Sequence, residues 1–257
     1  MQTNIVIPSY KRHVTLQTKT LKLLHRLAVT TNIYIFVVEE DLCSYKEATT
    51  AAHPNIDATF VVGPQGLMAM RNFITAYFDE GTHLLCMDDD VDDVFTEQDS
   101  KLVPMSPEAF HTWVDGGFEE LGRHKASLFG VYPVKNMFFM KDSPVISYDL
   151  RFCVGTLWGC INRKDLLLTI DEKEDFERTL LCYERDGCVV RYNRITIKTT
   201  FYTMKGGMQH HAIDRKEAAK ASCRYLLERF PQFTRLYTGK KNGMWEVRLK
   251  ARTQLAH

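Results

Sequence analysis

Residues 87–93 read MDDDVDD, five carboxylates in six positions, placed where the apolar run HLLCM stops. Carboxylates this close repel one another unless a cation or a set of donors neutralises them, so something positive belongs beside them. A ligand set made only of oxygen favours Mg²⁺ or Mn²⁺, ions that commonly bridge the phosphates of a substrate. Asp88 and Asp90 form an Asp-x-Asp pair inside this run; the alternative is a solvated acidic loop. Three further groups have types suited to chemistry. Glu174 and Asp175 stand at the start of a helical pattern, where they either serve a reaction or only favour the helix N-terminus through its dipole. His210 and His211 lie in GGMQHHA just ahead of another helix, as site residues or as part of an exposed loop. VGTLWGCINR sets Trp158 among small residues, which suits a sugar resting on an aromatic face and equally a buried core Trp.

The elements that must position these residues are legible in the alternation of the first ninety positions. Short β-branched runs at 4–8, 33–39, 58–63 and 83–88 alternate with helical patterns at 14–28 and 67–77, which implies βαβ crossovers and a mostly parallel sheet. NIYIFVVEE is apolar until it meets two Glu, and HLLCMDDD until it meets three Asp, so both strands deliver carboxylates to one rim. In open α/β sheets that carboxyl rim is where ligands bind. Arg71 falls one helical turn after the Gly63-Pro64-Gln65-Gly66 turn, close to the same rim. Positions 91–105 read as a loop. Ser106-Pro107-Glu108 reads as an N-cap, a Pro in the first helical position and a first-turn acid, opening a helix towards Lys125. Strands are expected at 128–132, 145–148, 154–161, 188–192 and 195–203, with a helix at 174–186. A last helix runs from Asp214, with Glu217 as its capping-box partner, to Phe230 before Pro231.

The bulk composition agrees with one folded α/β core. The 257 residues are 45% hydrophobic and 25% charged, which excludes a disordered chain. The seven Cys are odd in number and scattered without a CxxC pair, so neither a disulfide framework nor a zinc site is expected. The start, MQTNIVIPSYKRH, lacks the apolar core of a signal peptide and no run is long enough to span a bilayer, so a cytoplasmic location without membrane association is expected. Charge is uneven beneath the net +1: seven acids and no base lie between Asp88 and Asp99, whereas Lys205 to Arg252 carries twelve Lys or Arg against four acids. One end suits a metal and the other a polyanion, unless the basic excess only solvates a surface helix. The expected organisation is one α/β domain over 1–204, in two parts that meet after residue 93, with a basic helix and tail over 205–257 packed on it.

VIPSYKR near the start, VVEE on the second strand, GLMAMRN opening a helix and then CMDDDV resemble, in order and spacing, the donor half of GT-A glycosyltransferases. The resemblance implies a Rossmann-like GT-A fold, with 1–93 the nucleotide-sugar half and 94–204 the acceptor half, a C-terminal helical extension, and a metal-dependent transfer from a nucleotide-sugar, a UDP-sugar foremost. It implies that Pro8, Ser9, Tyr10, Arg12 and Glu39 contact the nucleoside and that Arg71 meets the diphosphate or the Asp cluster. Asp88 and Asp89 then face the donor, Asp88 at the ribose, Asp90 binds Mn²⁺ or Mg²⁺, and His210 or His211 supplies one more metal ligand. EKEDFERTLLCYERDG resembles the acidic helix start that such enzymes place beneath the acceptor, which implies Asp175, with Glu174 second, as the base. The SYKR start, DDDVDD, LWGCINR, AAKASCRYLLERFP and WEVRL are similar to the TET-associated DNA base glycosyltransferases, relatives of the kinetoplastid base J glucosyltransferase. That resemblance implies a hydroxymethylated pyrimidine in DNA, of phage or host, as acceptor, flipped out of its stack to be reached. The alternatives are a GT-A enzyme acting on a polysaccharide, protein or small molecule, and a non-catalytic nucleotide- or DNA-binding module.

Overall fold

The structure, a computed structural model, describes residues 2–199, 215–238 and 245–250. Strand β1 (Asn4–Pro8) leads into α1 (His13–Leu16), which continues through a π-turn at Gln17–Leu21 into α2 (Lys22–Arg26). Then come β2 (Ile33–Val37), α3 (Leu42–Ala52), β3 (Ala58–Val62), α4 (Leu67–Tyr77) and β4 (His83–Met87). The period of two is visible in what each side chain touches. Ile5, Ile7, Ile33 and Ile35 join the core on the side of Leu21, Leu24 and Phe118, whereas Val6 and Phe36 join Met70 and Ile74 of α4 on the other. β1 pairs in parallel with both β2 and β4, and β2 with β3. The chain thus steps outward to β3 and returns across β1 to β4, which opens a crevice between the carboxyl ends of β1 and β4.

The segment 91–105 is not a loop but a hairpin, β5 (Val91–Gln98) with β6 (Lys101–Pro104). Its two-residue turn is Asp99-Ser100, both at positive φ (50° and 60°), the conformation that tight hairpins need and that Asp tolerates better than most residues. Helix α5 (Pro107–His124) begins as its sequence dictates: the Ser106 hydroxyl accepts from the Ala109 amide at 3.2 Å. β7 (Leu128–Tyr132), α6 (Met137–Met140), β8 (Ile146–Ser147), β9 (Leu157–Ile161) and α7 (Glu174–Asp186) follow. The two strands expected at 188–192 and 195–203 are one, β10 (Val190–Thr199), whose register shifts between Tyr192 and Thr196 as it pairs with β7 below and β5 above. Across the described residues the sheet runs β3-β2-β1-β4-β9-β7-β10-β5-β6, with β8 also on β10, a mixed sheet in which most strands point the same way. At its centre Gly159 lets β9 lie against Phe129, since a Cβ there would come within 2.1 Å of the ring.

Helix α8 (Arg215–Arg229) and the pair β11 (Thr234–Tyr237) with β12 (Glu246–Leu249) form a small unit against α7. Cys223, Leu226, Phe230 and Val247 pack on Leu180, Tyr225 donates to Glu177 at 2.9 Å, and Arg229 pairs with Glu184. The GKKNG loop lies outside the described residues.

Candidate active site

The crevice between β1 and β4 gathers the first cluster. Ser9, immediately after β1, donates to Asp89 Oδ2 at 2.5 Å and shares a hydrogen bond of 2.6 Å with the Tyr45 hydroxyl. Arg12 Nη1 lies 3.4 Å from Asp89 and 3.6 Å from Asp90. The turn that carries the three Asp is pinned from both sides. Thr20 donates to the Asp88 carbonyl at 2.7 Å and accepts from the Val91 amide at 3.0 Å, and Thr199 at the end of β10 lies 2.9 Å from Asp90 Oδ1. From α4, Arg71 reaches Asp88 Oδ1 at 2.8 Å and the Gly155 carbonyl at 3.3 Å. Burial is the main force pushing the Asp88 carboxyl up to about 6, with Asp90 and Glu174 adding to it and Arg71 opposing. Burial likewise lifts Asp89 to about 7 against the pull of Ser9 and Arg12.

The facing wall is the start of α7. Asp175 is half-buried; its Oδ1 accepts from the Phe176 amide at 2.9 Å and its Oδ2 from the Gly155 amide at 3.3 Å. Gly155 therefore joins the two walls, its carbonyl held by Arg71 and its amide by Asp175. A side chain there would run into Glu174, whose Oε1 lies 3.0 Å from where a Cβ would stand. Glu174 is buried and pairs with Arg178 at 2.8 Å, which leaves Asp175 as the accessible acid of the two. Burial raises the Asp175 carboxyl to about 6, with Glu174 adding and Arg178 opposing, so it is ionised at neutral pH yet basic enough to accept a proton.

The structure thus brings Ser9, Arg12, Arg71, Asp88, Asp89, Asp90, Glu174 and Asp175 to one end of the sheet. Pro8 closes β1, and the Tyr10 hydroxyl accepts from Gln65 at 3.0 Å near the mouth. Glu39 is exposed at the turn that follows β2. Trp158 does not offer a free face: it is buried, its ring covered by the Arg178 guanidinium at 3.7 Å and its Nε1 donating to the Gly155 carbonyl at 3.1 Å. It supports the site from below, which corrects the expectation of a sugar stacked on it. His210 and His211 lie outside the described residues. Sequence reasoning missed Tyr45, Gly155 and Thr199, which reach the site only through long-range packing, and Arg178, which stands on the same helix as Asp175. Only Arg178 left a local trace, its spacing of four from Glu174.

Among the described residues no three His, Cys, Asp or Glu side chains converge as a ready metal cage. The donors nonetheless fit a hard divalent cation. Asp88 and Asp90 present carboxylate oxygens on one turn, and their mutual repulsion is part of what lifts Asp88. Such a partial set suits an ion that completes its shell with phosphate oxygens.

No protein-family model matches this sequence, and no curated protein sequence matches it significantly. Solved structures do resemble it in fold. TarS residues 1–349 from S. aureus, in complex with UDP-GlcNAc, superpose with a TM-score of 0.52 at 13% identity, covering 88% of this chain and 67% of that one. The same TarS fragment in another crystal structure gives 0.51 at 10% identity, covering 88% and 66%, so the chain spans about two thirds of that fragment. The 4-diphosphocytidyl-2C-methyl-D-erythritol synthase from Anaerococcus prevotii gives 0.50 at 12% identity, covering 79% of this chain and 91% of that one. At these identities the likeness establishes the architecture alone, a GT-A-type mixed, mostly parallel sheet flanked by helices.

Proposed function

We propose that the protein is a nucleotide-sugar glycosyltransferase that binds its donor in the crevice between β1 and β4 and activates its acceptor with Asp175. The observation that carries this reading is the pairing, across Gly155, of an Asp88–Asp90 turn neutralised by Arg71 and Arg12 with Asp175, the half-buried carboxylate of the facing wall. The TarS complex with UDP-GlcNAc supports a UDP-sugar as the donor class. In the transfer, Asp175 takes the proton of the acceptor hydroxyl as its oxygen attacks the anomeric carbon, and the bond to the diphosphate breaks. Arg71 and Arg12 lie where the leaving charge appears. Asp88 and Asp90 are the residues to hold Mg²⁺ or Mn²⁺, which when bound neutralises a departing diphosphate.

The proposed acceptor is a hydroxymethylated pyrimidine in DNA. Its support is the motif resemblance, together with the excess of Lys and Arg after Lys205, which suits phosphate contacts. The test is the nucleoside mass from DNA containing 5-hydroxymethylcytosine or 5-hydroxymethyluracil after incubation with protein, Mn²⁺ and a panel of sugar nucleotides. A sugar-sized gain on one base is the expected result. Metal-dependent release of nucleoside diphosphate without that gain retains the transferase and transfers the acceptor to a polysaccharide, protein or small molecule. Absence of both refutes the enzyme.

A further inference from the structure

Arg178 is the cation of the site whose purpose the donor and acceptor assignments leave unused. It is 7% exposed on α7, its Nη1 bonded to Glu174 at 2.8 Å and its guanidinium over the Trp158 ring, 3.7 Å from the centroid. Its Nε and Nη2 are buried and have no hydrogen-bond partner among the described residues. Burying a guanidinium with spare donors opposes folding, and an apolar side chain of the same length would serve the packing better. The contacts that Arg178 does make all lead to one place. Trp158, which lies beneath it, donates to the Gly155 carbonyl at 3.1 Å. The amide of the same glycine donates to Asp175 Oδ2 at 3.3 Å, and Glu174, fixed by Arg178, stands against Gly155 from the other side.

We infer that Arg178 is a positioning residue: through Glu174, Trp158 and Gly155 it fixes where the Asp175 carboxylate stands, without itself touching the reacting atoms. The inference rests on the reading of Asp175 as the base. The groups that face Asp175 are Glu174 and Arg178 on its own helix and, from the segment packed against it, the Cys153 thiol and the Gly155 amide. Of these Arg178 alone carries positive charge, so it both orients the carboxylate and favours its ionised form. Lys in its place keeps the charge but loses the planar group that covers Trp158.

The test compares Arg178→Met and Arg178→Lys with the wild type in two measurements. The first is steady-state transfer with the sugar nucleotide that the wild type turns over. The second is the titration of the Asp175 carboxyl by ¹³C NMR on Asp-labelled protein, its signal assigned by its loss in Asp175→Asn. Arg178→Met is expected to lower kcat about 10- to 100-fold, the scale of a misplaced catalytic group, with the donor KM within about twofold of wild type. It is also expected to move the Asp175 midpoint upward by about one pH unit, as removal of a nearby opposite charge does. Arg178→Lys is expected to hold the midpoint near the wild-type value and to recover only part of kcat. An unchanged Asp175 midpoint and wild-type kcat in Arg178→Met overturn the inference. Should that variant not fold, wild-type kcat in Arg178→Lys overturns it. The NMR midpoint needs no turnover, so a wild type inactive with every sugar nucleotide refutes the transferase reading while the titration still decides the role of Arg178.

Discussion

Asp175→Asn separates what the acid does for the reaction from what it does to the fold. The carboxyl is lifted from the ordinary 3.8 to about 6, and that difference corresponds to about 3 kcal/mol by which the folded protein disfavours the ionised form. The sign follows from proton binding. Because the folded state holds this proton more tightly than the unfolded chain, its stability is greatest below about 4, falls as the pH rises towards 6, and carries the full penalty above that. Asparagine carries no charge, and its carbonyl oxygen still accepts from the Phe176 amide. Allowing for partial solvent access and loss of the Gly155 contact, Asp175→Asn should gain about 1–2 kcal/mol at pH 7.5, or roughly 2–8 °C in Tm. The gain should shrink as the pH falls to 5. Transfer should drop about 10²- to 10⁴-fold with nucleotide binding intact, the loss typical of a missing general base. In the wild type, kcat/KM should rise with pH through about 6 and then level off, because the base acts in its ionised form. The measurements are thermal melts from pH 5 to 8, calorimetric titration with UDP, and initial rates. A variant that is less stable at every pH, or one that transfers at the wild-type rate, refutes the assignment of Asp175.

Asp90→Ala should abolish Mn²⁺-dependent binding of the sugar nucleotide while leaving the melting temperature close to wild type, as calorimetry with and without Mn²⁺ would show. Arg71→Met removes the cation that holds Asp88 and should weaken nucleotide binding about tenfold or more, equivalent to about 1.4 kcal/mol for each factor of ten. It should also lower stability, because Asp88 is left without its partner, which urea unfolding would measure. Gly159→Ala forces a methyl group into the Phe129 ring at the centre of the sheet and should cost about 1–3 kcal/mol or more in the same unfolding assay.

The parts legible in the sequence are those fixed by local pattern. The buried strands β2 and β4 ahead of Glu39 and Asp88, the helix 67–77 and the Ser106 cap are legible from periodicity and capping chemistry, and the first crevice follows from their order. The hairpin at 91–104 was missed because its carboxylates read as a loop and its turn is Asp-Ser, not the Asn-Gly or Asp-Gly that marks such turns most clearly. The strand break expected between Tyr192 and Ile195 is real as a register shift, but a change of partner there keeps the strand continuous. Which of Glu174 and Asp175 is accessible depends on Arg178 and Gly155, and Gly155 is nineteen residues from Glu174 in a separate segment. The fate of Trp158 also turned on Arg178. Sequence spacing places a group on a helix face, but only tertiary packing determines which neighbour takes its charge or covers its ring.

The order of strands leaves the sheet with two unlike borders. β6, on one side, is four residues long, begins with Lys101 and ends with Pro104, and so offers a short and interrupted row of backbone donors to any other chain. β3, on the other, reads ATFVV without a charge or a proline, and its last residue, Val62, is exposed. Self-association through sheet extension is therefore directional: two copies would meet β3 to β3 and stop there, and a single Lys at an outward-facing position of that strand is the natural means of keeping the protein monodisperse.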